Sequence, residues 1–204
     1  MSFEPRSDAD LVRLIDEYPL AWVVSTGGTG FSASPLPLLA ETNAAGRVVS
    51  LLGHFALSNP QVPLLRESPR AKILFSGPHG YMSPEGVSRP RWAPTWNYVT
   101  AQFEVDIEFR PQENGVAIER LVARMERDRR VPWTTAMMGE RYGQLVRHIV
   151  AFRAHVREMH ARFKLGQDET PQTLAELLGN LDDEVLAAWM REFNPPVAPA
   201  DTGE

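Results

Sequence analysis

Three short segments concentrate groups able to grip a small polar molecule. They are Gly53-His54-Phe55-Ala56-Leu57-Ser58-Asn59-Pro60-Gln61, Ser76-Gly77-Pro78-His79-Gly80-Tyr81-Met82-Ser83-Pro84 and Pro94-Thr95-Trp96-Asn97-Tyr98. Trp96, Tyr98 and Tyr81 offer aromatic faces with polar tips. Such rings suit a planar heterocycle that is apolar on its faces and hydrogen-bonding at its rim. His54, Ser58, Ser83 and Lys164 have the chemistry to meet a phosphate, and the glycines permit close backbone approach to a ligand. The same aromatics would serve equally as plugs at the end of a β-core. Residue types alone leave the two uses open.

Other chemistries find less support. The five histidines form no His-Glu-x-x-His pair and no tight His/carboxylate spacing, so no metal site built from side chains is expected. Cysteine is absent and no Gly-x-Ser-x-Gly occurs, which removes the usual nucleophile signatures. Gly27-Gly28-Thr29-Gly30 lacks the Lys-Ser/Thr of a phosphate loop and reads as a hairpin turn. Net charge is −5, and the arginines from Arg120 to Arg130 alternate with Glu119, Glu126 and Asp128, the pattern of a solvated helix face. Direct DNA binding is not indicated. No window approaches the ~20 apolar residues of a membrane span, and the N-terminal residues lack the pattern of a secretion signal, which sets a cytoplasmic expectation.

These segments need a scaffold, and the chain of 204 residues, 43% hydrophobic, is enough for one domain with a core. A helix is expected over Asp8 to Tyr18 with Asp8 as cap. Strands follow at Ala21–Ser25, at Phe31–Leu39 (edge or bulged, because of Pro35 and Pro37) and at Arg47–Leu52, ending at Gly53-His54. A hairpin turn spans Asn43 to Gly46. Asn59-Pro60 starts a short helix to about Glu67. Ala71–Ser76 is a central strand, Gly77 to Gly80 a tight loop, Tyr81–Ser83 a returning strand and Pro84 to Pro94 a loop. From Trp96 to Arg110 apolar Phe103, Val105, Ile107 and Phe109 alternate with polar residues, as in a half-buried antiparallel strand. Asn114 caps a helix from Gly115 to Arg127 with Val116, Leu121, Val122 and Met125 inward. A looser helix near Glu140–Arg147 precedes a strand through Val150, Phe152, Ala154 and Val156. Two helices, Pro171–Leu178 and Asp182–Phe193, close a single domain over residues 1–194, and residues 195–204 are expected to be a disordered tail. Hairpin-linked strands with inserted helices favour an α+β, mainly β, antiparallel barrel.

At the three segments the sequence resembles the PaiB family, known as FMN-binding negative transcriptional regulators. Gly53-His54-Phe55-Ala56 with Asn59-Pro60-Gln61, then Gly77-Pro78-His79-Gly80-Tyr81, then Pro94-Thr95-Trp96-Asn97-Tyr98 carry the likeness. Weaker likeness covers Ala33 to Leu38 and Phe163-Lys164-Leu165-Gly166-Gln167-Asp168. The resemblance implies an FMN-binding split β-barrel with peripheral helices and a helical C-terminal segment. It also implies a homodimer with the cofactor groove at the interface. The cofactor-binding residues it implies are His54, Ser58, Asn59, Pro60, His79, Tyr81, Ser83, Trp96, Asn97, Tyr98, Lys164 and Gln167, with the stretch around His54 to Pro60 near the FMN phosphate. A regulator acting through cofactor or partner is the leading expectation. An FMN-dependent oxidoreductase of the pyridoxamine phosphate oxidase or flavin reductase type is the alternative, with His54 and His79 as proton donors. A haem-binding relative, with His54, His79 or His155 as axial ligand, is the third. The chain departs from the family where Pro35 stands for a histidine, Gly166 for a serine and Asp168 for an asparagine. These changes are expected to weaken cofactor binding and to leave the fold intact.

Overall fold

The computed structural model describes residues 2–27 and 30–195. Seven strands form one antiparallel sheet in the order β2-β1-β5-β6-β7-β4-β3. The strands are β1 (Leu20–Gly27), β2 (Gly30–Pro37), β3 (Leu39–Thr42), β4 (Val48–Ala56), β5 (Arg70–Met82), β6 (Thr95–Phe109) and β7 (Ile149–Lys164). Six α-helices accompany them among the described residues: α1 (Asp8–Glu17), α2 (Gln61–Glu67), α3 (Asn114–Glu126), α4 (Glu140–Val146), α5 (Pro171–Gly179) and α6 (Glu184–Phe193). None is long and apolar enough to cross a membrane.

The chain divides into two compact units. The larger comprises Arg6–Ser76 and Ala101–Ala161; the smaller comprises Met1–Pro5, Gly77–Thr100 and Arg162–Glu204. In the larger unit β1 pairs with β2 from Leu20↔Pro37 to Gly27↔Gly30, and β4 pairs with β7 from Ser50↔His155 to Ala56↔Ile149. Its core is aliphatic and aromatic, with Phe55 5.0 Å from Phe152 and Phe75 edge-on to Phe103 at 5.8 Å. A Cβ at Gly53 would lie 2.4 Å from Leu38 and 2.9 Å from Phe152, so a larger residue there would force these buried side chains to shift. The smaller unit packs α6 on the end of β7: Trp189, Phe163 and Phe193 form a buried aromatic triad.

Several expectations hold. β2 lies at an edge of the sheet, where Pro35 and Pro37 leave no ladder partner unserved. The Asn43–Gly46 turn is closed by Asn43 Oδ1, which accepts from Ala45 and Arg47 N–H, with Gly46 at φ 81°. A short helix does follow Asn59-Pro60, but it starts at Gln61 with Pro60 at the N-cap position, and Asn59 Oδ1 accepts from the Gln61 N–H at 2.9 Å from one residue further out.

Others are corrected. Gly77-Pro78-His79-Gly80 is not a loop but part of the continuous β5. The register Trp22↔Leu74 runs β1 out at Leu20, opposite Ser76, so Pro78 lies past the end of that neighbour and withholds no N–H from it. β4 continues through His54 to Ala56. β7 runs on to Lys164, its second half masked in sequence by exposed Arg157, Glu158, His160 and Arg162. The N-cap of α1 is Ser7, whose N–H donates to the Asp10 carboxylate, as does that of Arg6. Asn114 is the first residue of α3 rather than its cap; its amide donates to the Val146 and Ile149 carbonyls and accepts from the Ala151 N–H. α3 buries Ala117 and leaves Val116 and Met125 exposed, a rotation of the face expected from the pattern. Asn194 is anchored by bonds to the Leu165 and Met190 carbonyls. The rest of the expected tail from residue 196, and the middle of the Gly27–Gly30 turn, lie outside the described residues.

Candidate functional site

In the larger unit the polar residues gather where β4 ends and α2 begins. Asn59 Nδ2 donates to Ser34 Oγ on β2 at 2.9 Å while its Oδ1 holds the Gln61 N–H, so the Ser58-Asn59 turn is fixed against β2. Ser58 and Pro60 are exposed there, with hydroxyl and backbone open to a ligand. Beneath them Gln61 is fully buried; its Nε2 lies 3.1 Å from the Val23 carbonyl, 2.9 Å from Ser25 Oγ and 3.0 Å from the Ser32 carbonyl. In the sequence Gln61 stands only as part of a motif, and no local pattern marks Ser34. The signal available was a polar amide one helical residue after a cap, in a helix otherwise led by Val62 and Leu65. Pro35, where the family's imidazole is missing, adjoins Ser34 in β2.

His54 is half-buried on β4, opposite Ala151 of β7, and burial holds its imidazole below the ordinary value of 6.5. The unfolded chain therefore takes up a proton, as pH falls through the ordinary imidazole range, that the folded chain refuses. Stability from this group is complete above the ordinary value and is lost with acid. Melting temperatures followed from about pH 8 to about pH 5 should fall less steeply for His54→Gln than for the parent. Parallel curves would show that His54 does not titrate differently on folding.

In the smaller unit His79 and Tyr81 lie two residues apart on β5, so they share a face, and Trp96 of β6 lies beside them. The Trp96 ring is 5.9 Å from His79 and 6.1 Å from Tyr81. Tyr81 is 51% exposed and Trp96 52%, so these rings are an open platform rather than a core plug. Tyr98 is half-buried. Asn97 points the other way: it is buried, its Nδ2 reaches Met190 Sδ at 3.5 Å, and its Oδ1 has no partner among the described residues. Ser83 Oγ accepts the Glu85 N–H in a turn. Lys164 donates to Thr95 Oγ1. Gln167 turns on its own loop, donating to the Phe163 carbonyl at 2.6 Å and accepting the Leu165 N–H at 2.7 Å. That closes a tight turn at Gly166, whose φ of 89° is a glycine conformation.

Two of the open spaces among the described residues carry charged side chains together with a ring or a hydroxyl. One of about 530 Å³ in the larger unit is lined by Phe31, Arg70, Lys72, Glu104 and Arg157 among others, none of them singled out from the sequence. One of about 380 Å³ in the smaller unit runs along Arg89 to Thr95 and includes Lys164. Among the described residues no three His, Asp or Glu side chains gather as a metal site. His155 Nε2 is 2.8 Å from Glu108 Oε2.

Residues 1–158 match the family described as "Putative FMN-binding domain". The chain belongs to the PaiB family of FMN-binding proteins. FMN is thus the cofactor that membership supplies. Within the family's reach the chain is 26% identical over 187 residues to Protease synthase and sporulation protein PAI 2 of Bacillus subtilis (strain 168), covering 89% of this chain and 87% of that protein. Two solved structures share the fold. The FAD and haem binding protein from Mycobacterium smegmatis has a TM-score of 0.64 at 17% identity, covering 85% of this chain and 80% of that one. A flavocytochrome from Azotobacter vinelandii has a TM-score of 0.58 at 12% identity, covering 99% and 86%. The PaiB fold is therefore the split barrel of flavin-binding proteins.

Proposed function

We propose that this PaiB-family protein binds FMN as a homodimer in the cytoplasm and acts as a negative regulator of transcription through its cofactor or a partner. The observation that carries the cofactor reading is the turn at Ser58-Asn59, tied to Ser34 and stapled from below by Gln61. A preformed group of hydroxyls and amides suits a phosphate, since ordering it on binding costs little. His54, Ser58, Asn59 and Pro60 take the phosphate in this reading. The open rings of Tyr81 and Trp96, with His79 and Tyr98, form a surface of the smaller unit suited by itself to a planar ring or to the second subunit. When bound, FMN supplies redox chemistry, and the chain's part is to hold and orient it. The regulatory half rests on the relative named for protease synthase and sporulation, and the net charge of −5 favours action through a partner over direct DNA contact.

The test is to purify the protein without added cofactor, record its absorbance and titrate FMN while following flavin fluorescence. Saturable binding without turnover supports the regulator; bleaching of the flavin by NAD(P)H would make it an oxidoreductase, and a Soret band a haem protein. Absence of binding at high micromolar FMN would overturn the reading. Trp96→Ala sharpens it. Because Trp96 is half exposed, its removal should lower the melting temperature by no more than about 2 °C. FMN affinity should fall roughly tenfold if the ring lies on it, the weight of one good aromatic stack. A destabilised variant with unchanged affinity would show the ring to be structural.

A further inference from the structure

We propose that the groove along Arg89–Thr95 in the smaller unit binds the anionic group of a small ligand, a phosphate ester or a carboxylate, in addition to the flavin. The inference goes beyond the FMN reading; of the residues it uses, Lys164 alone also stands among those that the family resemblance implies for the flavin. Two cations line this groove without a carboxylate of their own. Lys164 is held by the Thr95 hydroxyl, and among the described residues no hydrogen bond or ion pair takes up the Arg91 guanidinium. Arg89 reaches Glu169 only at 3.8 Å. Glu169 itself is spent on the Trp92 indole N–H, at 3.0 and 3.1 Å. A lysine with an adjacent hydroxyl and a free guanidinium is the donor set that recognises an oxyanion.

The backbone adds a second, independent sign. Arg91 has φ 61°, and it is the one non-glycine residue with positive φ among the described residues. That conformation costs free energy for a side chain with a Cβ, and such costs persist where the surroundings impose them and often where a ligand is held. Here the wall is imposed by its contacts. Gly86, at φ 79°, sits so close to Asn180 that a Cβ would lie 2.3 Å from its amide. The Ser88 N–H donates to Glu176 at 2.9 Å, and Trp92 is fixed by Glu169. The groove of about 380 Å³ is thus built before a ligand arrives. Asp168, exposed on its rim, is the one lining carboxylate with no partner among the described residues, and it opposes an anion.

The test is calorimetric titration of the full chain at low ionic strength with inorganic phosphate and, separately, with acetate; the arm that saturates names the anion. Arg91→Gly keeps the left-handed backbone without strain, so it should fold at least as well as the parent while binding the anion roughly tenfold more weakly, the weight of one charge-assisted hydrogen bond. Lys164→Met should weaken binding similarly, and Asp168→Asn should tighten it several-fold. FMN affinity, measured on the same variants, should stay within about twofold of the parent for Arg91→Gly. No saturation by either anion at about 10 mM, or unchanged binding in Arg91→Gly, would overturn the proposal. Competition between phosphate and FMN would also overturn it, by making the groove part of the flavin site. Failure of FMN to bind, with anion binding intact, would instead count against the cofactor reading alone.

Discussion

Replacing Trp189 by alanine is expected to remove about 3–5 kcal/mol of stability, the cost of emptying a large buried aromatic site. Trp189 is fully buried on α6. Its ring stacks on Phe193 at 6.1 Å and 15° and meets Phe163 of β7 edge-on at 5.9 Å; Phe163 and Phe193 lie 5.5 Å apart. Removing the indole therefore deprives two other rings of a partner at once. The flanking residues Leu186, Ala187 and Met190 are equally buried, so the helix has little freedom to collapse into the hole. The melting temperature should fall by roughly 6–20 °C. Trp189→Phe, which keeps a ring in the triad, should cost no more than about half as much. A loss below about 1 kcal/mol for alanine would mean that α6 is not integral to the smaller unit.

The second large effect belongs to Gln61. Gln61→Ala should cost about 2–4 kcal/mol, since it leaves a cavity and strips donors from the Val23 carbonyl, Ser25 Oγ and the Ser32 carbonyl. Gln61→Glu is nearly isosteric yet should be worse near neutral pH. It would set a buried carboxylate oxygen against acceptors that the Nε2 group now serves, and burial of an unpaired charge is costly. The carboxyl of that variant should be driven to protonate, so its folded-state pKa lies above the unfolded value. The stability it forfeits should then return as pH is lowered, and denaturant midpoints at several pH values would read this directly. A Gln61→Glu protein as stable as the parent at neutral pH would refute the assigned amide orientation. Because Gln61 underlies the Ser58-Asn59 turn, FMN affinity should fall in both variants.

Much of the scaffold could be read from local pattern. The strict alternation of Phe103, Val105 and Ile107 gave β6 its buried face, and Asn43 and Gly46 announced a hairpin by their turn chemistry. Asn59-Pro60 announced the start of a helix, and paired prolines confined β2 to an edge. The two C-terminal helices appear where proline, an Asp cap and apolar spacing set them, with Asp183 accepting from Val185 and Leu186. The candidate site was less legible. Tyr81 and Trp96 were open to two readings, and only their exposure favours a binding surface over a plug. Gln167 carried the chemistry of a ligand contact, yet it is occupied by its own loop, while Lys164 spends one donor on Thr95 and lines the groove of the smaller unit.

What the sequence by itself determined is the set of elements and the family motifs, because turn, cap and periodicity rules act over a few residues. What only the tertiary structure decided is how far each strand runs and which partner each polar group meets. Pro78 reads as a breaker until β1 is seen to stop short of it. Val116 reads as core until Ala117 and Leu121 are found packed against Leu39 and Leu52. Gln61 stands in the sequence only as the end of a motif until Val23, Ser25 and Ser32 are found around it, 29 to 38 residues away in the chain. Hydrogen bonds and packing are contacts in space, and residues that far apart leave no local trace of one another.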